Sequence, residues 1–311
     1  MAAWCGKAAK MRTGIAGGPL RWCGTSSLRC KLAGLTLIWL AFGATSADLS
    51  RAADAGSVHS YRFGVFPYLP ALTIDRIFGP IAADFATALG HPVYLKTKPT
   101  FESFASELEQ ATYDIIFVHP FLYVGAVDRQ GYLPLARLDG ELTAVVLVRA
   151  DRPWQAWADL AGRTVAAPPA LSAVSELARV ALLDAGLVPG IDTTLQHYRT
   201  KMSCLQAVSV GSVDACVLPR FVLPQIDQIG DGKLRIMAES GAVKHLVFAA
   251  HPRLPAAERE KLRSLILSWP HTDQGRAILA IGSWPRFVPA RDADYEEVRR
   301  HSVRVEHLIK Q

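Results

Sequence analysis

Tyr61-Arg-Phe-Gly-Val-Phe-Pro-Tyr-Leu-Pro70, Pro92-Val-Tyr-Leu-Lys-Thr-Lys-Pro-Thr100 and Tyr113-Asp-Ile-Ile-Phe-Val-His-Pro120 share one rhythm. In each, an apolar run stops at a turn carrying proline, and an amphipathic stretch follows. Strand, turn and helix in series predict a parallel α/β sheet, because parallel strands need a long crossover connection. Ligands of such sheets sit beyond the carboxyl ends of the strands. The turns at Pro67-Tyr68, Pro99-Thr100-Phe101 and His119-Pro120 are therefore where binding residues are expected, with Tyr68, His119 and Tyr123 as first candidates. Tyr68 and Tyr123 also fit as aromatics at the edge of a core, and His119 as a histidine bonded to a neighbouring carbonyl.

Outward toward the N-terminus, the six residues Lys7, Lys10, Arg12, Arg21, Arg29 and Lys31 precede any acidic side chain, and the whole chain has a formal net charge of +6. The excess charge thus belongs to this leader, and the remainder is neutral overall. A neutral body without a Lys/Arg cluster lacks the footprint of phosphate-backbone binding, so nucleic acid is not an expected partner. Arg29 and Lys31 stand before the apolar run Leu32–Phe42, which gives way to Gly43-Ala-Thr-Ser-Ala47. Charged region, short apolar core and small-residue exit predict a secretory signal peptide over 1–47 and a periplasmic mature chain. The core is short for a membrane span of about 20 residues. No Cys follows the exit, so no lipoprotein anchor is expected.

Outward toward the C-terminus the pattern restarts. Arg163–Ala167, Thr193–Tyr198, Val213–Leu218, Leu234–Met237 and Leu246–Ala250 read as strands, and Leu142–Arg149 as a long apolar strand able to cross between lobes. Leu171–Ala185 and Lys201–Val210 read as helices; Leu171, Val174, Leu177, Ala178, Ala181 and Leu182 share one face of the first, and Gly186 is placed to close it. From Pro255 to Leu308 the chain is mostly helical. The mature chain keeps two cysteines, Cys204 and Cys216, which come level on a helix and the strand after it. A disulfide and two buried free thiols both fit that placement.

Phe63-Gly-Val-Phe-Pro67, Gly79-Pro-Ile81, Tyr113-Asp-Ile115 with Pro120, Asp159-Leu-Ala-Gly-Arg-Thr-Val165, Gln206–Gly211 before Val213-Asp-Ala215, and Gly275-Arg-Ala-Ile-Leu279 together carry a resemblance. They are similar to the phosphate/phosphonate-type substrate-binding proteins of bacterial ABC importers, over nearly all of 61–290. The resemblance implies a two-lobed type II periplasmic binding protein fold, each lobe a mixed, mostly parallel sheet flanked by helices and joined by hinge strands. Lobe one is expected at 58–141 plus 251–311, and lobe two at 142–250. It also implies ligand positions. The family's hydroxyl-rich start of the first lobe-two helix falls on Pro168-Pro-Ala-Leu-Ser-Ala173, where Ser172 alone keeps a hydroxyl. A family histidine at the next helix start falls on Lys201, an aromatic cap on Phe101, and an acidic residue that holds amino groups on His245.

The expectation is a monomeric periplasmic protein that captures a small anion of phosphonate, phosphite or phosphate type for an ABC permease in the inner membrane. Tyr68, Phe101, His119, Tyr123, Ser172, Lys201 and His245 are its candidate ligand residues. Two alternatives are a ligand sensor partnered with a membrane kinase, and metal capture between His119 and His245. Neither a cofactor nor a metal is expected, and no recognised catalytic motif such as Gly-x-Ser-x-Gly, His-Glu-x-x-His or a phosphate loop occurs, so an enzyme is not expected.

Overall fold

The computed structural model describes residues 59–223 and 232–309. The expected signal peptide lies outside the described residues. The opening stretch forms β1 (Tyr61–Val65), α1 (Ala71–Leu89), β2 (Val93–Lys96), α2 (Phe101–Glu109), β3 (Ile115–Val118) and α3 (Pro120–Gln130). Local chemistry sets these boundaries. Thr100 and Ser103 form a capping box at the start of α2, Pro120 occupies the first turn of α3, and Gly131 closes α3 in the left-handed region at φ 69°.

The chain continues through β4 (Leu133–Leu138), β5 (Glu141–Leu142), β6 (Ala144–Arg149), β7 (Thr164–Ala167), α4 (Ala173–Asp184), β8 (Thr194–His197), α5 (Lys201–Ser209) and β9 (Ala215–Pro219). It ends with β10 (Leu234–Glu239), β11 (Val243–Lys244), β12 (Val247–Ala250), α6 (Ala256–Ser268), α7 (Asp273–Gly282), β13 (Phe287–Pro289) and α8 (Glu296–Ile309). No helix among the described residues is long and apolar enough to cross a membrane.

Two sheets result. The first has the order β13-β4-β12-β3-β1-β2, with β1 parallel to β2 and β3, and β12 antiparallel to both β3 and β4. The second has the order β10-β6-β9-β7-β8, with β7 parallel to β8 and β9. The chain passes from the first sheet to the second between β4 and β6, and returns between β10 and β12. The two passages pair as β5 and β11, antiparallel, with Lys244 Nζ donating to Glu141 Oε1 at 2.8 Å.

Two sequence expectations change here. The strand Leu246–Ala250 was assigned to lobe two, yet β12 hydrogen-bonds inside the first sheet. Phe248 explains this, since its ring packs on Phe117 at 4.6 Å, Phe287 at 5.1 Å, Phe85 at 5.8 Å and Phe63 at 6.0 Å, all from the first sheet and its helices. The crossing role given to Leu142–Arg149 belongs instead to 139–143, because β6 pairs along its length with β9 and β10 within the second sheet.

The Asp of Tyr113-Asp114 and that of Val213-Asp214 do the same job in the two sheets. Asp114 accepts the Arg62 N–H at 2.7 Å while its own N–H goes to Arg62 O, and Asp214 accepts the Thr164 N–H at 2.9 Å while its N–H goes to Thr164 O. Each carboxylate ties the entry of one parallel strand to its neighbour, at the edge opposite the carboxyl ends. Gly64 makes room for Tyr113: a Cβ there would lie 2.6 Å from the Tyr113 ring, which is stacked on Phe104 at 5.0 Å and hydrogen-bonded to Glu107. Gly64→Ala is expected to destabilise the protein by about 1–3 kcal/mol through overpacking. A urea unfolding midpoint equal to that of wild type would show that the ring can give way.

Candidate ligand-binding cleft

The carboxyl ends of the parallel strands carry the expected binding segments. In the first sheet these are Phe66-Pro-Tyr68 after β1, Phe101 beyond β2 and His119 after β3. In the second they are Pro168–Ser172 after β7, Lys201 beyond β8 and Arg220-Phe221 after β9.

His119 caps α3 and joins the lobes. Its Nδ1 accepts the Leu122 N–H at 3.3 Å, which leaves the proton on Nε2, and Nε2–H donates to the carbonyl of Leu171 in lobe two at 3.0 Å. The ring is 1% exposed and enclosed by Phe66, Phe101 and Phe121. Burial lowers its pKa to about 3. His119 is therefore a neutral interlobe contact with both nitrogens engaged, and it has no nitrogen left for a metal or an anion. Among the described residues no three His, Cys, Asp or Glu side chains group so as to hold a metal ion.

Around this contact stand Phe101, buried, and Tyr68, half-buried and stacked on Phe66 at 4.6 Å. Burial raises the pKa of Tyr68, and its hydroxyl has no hydrogen-bond partner among the described residues. Tyr123 is placed differently. It is fully buried, packs on Tyr295 at 4.6 Å and donates to Asp292 Oδ1 at 3.1 Å, so it has neither surface nor a free hydroxyl to offer a ligand.

Ser172 is the cap of α4. Its Oγ accepts the Ser175 N–H at 3.3 Å and lies 3.2 Å from Ser175 Oγ, which donates onward to Pro168 O at 2.9 Å. The loop before it is held at each carbonyl: His197 and Ser175 on Pro168, Arg179 on Ala170 at 2.9 Å, and His119 on Leu171. Pro168 and Pro169 have no N–H to give. Two of the loop's residues thus lack an N–H, and Ser172 spends its hydroxyl internally.

The second cluster comes from three separate segments. Lys201 opens α5 behind its cap Thr200, and its Nζ sits 5.0 Å from the centre of the Phe221 ring. The His245 ring lies 6.5 Å from the same ring. Lys201 is exposed, and desolvation by the atoms around it lowers its pKa. It has no ion-pair partner among the described residues. His245 belongs to the returning crossover; its Nδ1 accepts the Leu246 N–H at 2.8 Å, which directs the proton to Nε2, unpartnered among the described residues, and its carbonyl accepts the Tyr295 hydroxyl at 3.2 Å. Burial lowers its pKa to about 4. Arg220, another cation at this edge, is paired with Glu239 of the same lobe. Cys204 and Cys216 are joined as a disulfide with Cα atoms 5.7 Å apart, tying α5 to β9. Phe221, which connects Lys201 to His245, was not singled out from sequence; its only signal was its place just beyond the apolar run of β9.

The family model for the periplasmic substrate-binding protein of phosphonate ABC transporters matches residues 63–295. The chain belongs to this family. Its members are substrate-binding components of transporters, and a periplasmic location goes with membership. No curated protein sequence matches the chain. Among solved structures it is similar to PhnD1 from Prochlorococcus marinus in complex with methylphosphonate, at TM-score 0.68 and 15% identity over 79% of this chain and 98% of that one. It is also similar to the binding-protein component of an ABC phosphonate transporter from Pseudomonas aeruginosa, at 0.67 and 14% over 80% and 87%. A Xanthomonas citri protein bound to ATP matches at 0.70 and 15% over 81% and 98%. At these identities the likeness establishes the type II periplasmic binding protein fold.

A histidine whose folded pKa lies at about 3, against 6.5 unfolded, opposes acid. As pH falls below about 6.5 the unfolded chain takes up a proton that the folded one refuses, so stability present above that pH is lost on acidification. The urea midpoint of wild type is expected to fall between about pH 7 and about pH 4. His119→Asn, which keeps a helix-capping acceptor but drops the Leu171 bond, should show a shallower fall, with His245 supplying the rest. Equal slopes would refute the assignment to His119.

Proposed function

We propose that the chain is exported by its N-terminal segment, cleaved after Ala47, and works in the periplasm as the solute receptor of an ABC importer, holding a small anion between its two lobes and delivering it to a permease in the inner membrane. The bonded pair Cys204–Cys216 suits an oxidising compartment. What the ligand receives is electrostatic and hydrogen-bonding complementarity, with no bond made or broken.

The observation that carries this reading is Lys201. A partly desolvated ammonium with no carboxylate among the described residues stands at the start of a helix, where the peptide dipoles add positive potential, and at the carboxyl edge of a parallel sheet. Such a charge is completed by an anion. Tyr68 O–H and His245 Nε2–H, unpartnered among the described residues, are the donors assigned to this ligand, while Phe101 forms wall and Ser172 supports the loop. His119 serves closure by bonding Leu171. With His245 where the relatives carry an acidic residue, an amino group on the ligand finds no counter-charge there.

Lys201→Ala is expected to weaken binding of an oxyanion such as methylphosphonate by about 1.5–3 kcal/mol, the range for a hydrogen bond to a charged group. Isothermal titration calorimetry of the purified mature protein checks this, and an unchanged affinity removes Lys201 from the site.

A further inference from the structure

The wall built around Lys201 contains more apolar surface than recognition of a bare oxyanion needs. Phe221 is 58% exposed and Met202, beside Lys201, 50% exposed. Exposed apolar side chains are ordinary one at a time, but Phe221 is also in contact with a cation, its ring centre 5.0 Å from Lys201 Nζ and 6.5 Å from the His245 ring. The three residues of this contact come from three chain segments, the start of α5, the turn after β9 and the crossover before β12, so their meeting is a product of the fold. The disulfide fixes two of those segments to each other. On the other lobe, Tyr68 presents a half-buried ring backed by Phe66. The carbonyls of the Pro168–Leu171 loop and the Ser172 hydroxyl are already engaged internally.

Resting on the proposed anion-binding role of Lys201, we infer that Phe221 is a specificity-determining residue that selects an oxyanion bearing an apolar group of about phenyl size over one bearing a methyl or an aminoalkyl group. The headgroup neutralises Lys201 and takes hydrogen bonds from free donors. The substituent covers the exposed ring of Phe221, removing it from water. An aminoalkyl group would instead bring an ammonium toward Lys201, which has no ion-pair partner among the described residues.

The test is calorimetric titration of the intact protein with inorganic phosphate, methylphosphonate, 2-aminoethylphosphonate, phenylphosphonate and benzenesulfonate, repeated for Phe221→Ala, Phe221→Leu and Lys201→Ala. Wild type should bind phenylphosphonate about tenfold or more tightly than methylphosphonate, the order of discrimination an apolar contact of this size supplies. Phe221→Ala should erase that preference. Phe221→Leu should keep part of the preference. Benzenesulfonate, if it binds, should lose the same factor in Phe221→Ala, since the gain belongs to the ring and not to phosphorus. Lys201→Ala should weaken all of the anions together. An affinity that does not rise with the phenyl group, or a preference that survives in Phe221→Ala, overturns this inference alone. Failure of every anion to bind wild type overturns it together with the anion-binding reading.

Discussion

The architecture depends on the seating of Val247–Ala250 in the interior of the first sheet. This strand pairs antiparallel with β3 on one side and β4 on the other, and Phe248 stands at the centre of the aromatic core. Because its neighbours come from the first half of the chain, the polypeptide must leave the first sheet, build the second, and come back. That return creates two crossovers instead of one, and their pairing as β5 and β11 makes a short two-stranded hinge. A single passage would leave two domains on a tether; the double passage leaves two lobes whose carboxyl edges are held toward a common cleft.

The same return places His245. It lies on the crossover between β11 and β12, its carbonyl held by Tyr295, so a hinge residue also contributes a side chain to the cluster around Phe221. At the other end of the cleft, His119 couples closure to the cap of α3, since one ring spends one nitrogen on its own helix and the other on lobe two. A protonated ring could not accept from Leu122, so this contact is tied to the neutral form.

Much of the fold was legible because it rests on local chemistry. Proline turns, Gly186 at a helix end and the alternation of apolar runs with helices mark the strands and helices of both lobes without reference to their neighbours. The family motifs at Tyr113-Asp114 and Val213-Asp214 reduce to one device, a carboxylate that locks adjacent strand entries. The site was less legible. Position at a strand's end does not tell which way a side chain turns, and Tyr123, at the third position after His119-Pro120, turns inward to Asp292. Ser172 has the hydroxyl that binding calls for, but a helix cap claims it first. Phe221 gave almost no signal, because one aromatic residue after an apolar strand has no pattern of its own.

The amino-acid sequence by itself determined the α/β class, the charge asymmetry of the leader and the order of elements, since all of these follow from residue type and short-range spacing. Tertiary structure alone decided which sheet receives β12, that the crossing segments are 139–143 and the stretch around Val243-Lys244, and which polar groups remain free. Those are questions of long-range pairing and of competition for hydrogen bonds. A hydroxyl, a ring nitrogen or an ammonium is available to a ligand only if nothing nearer in the fold has taken it, and proximity in the fold is set by residues tens to hundreds of positions away.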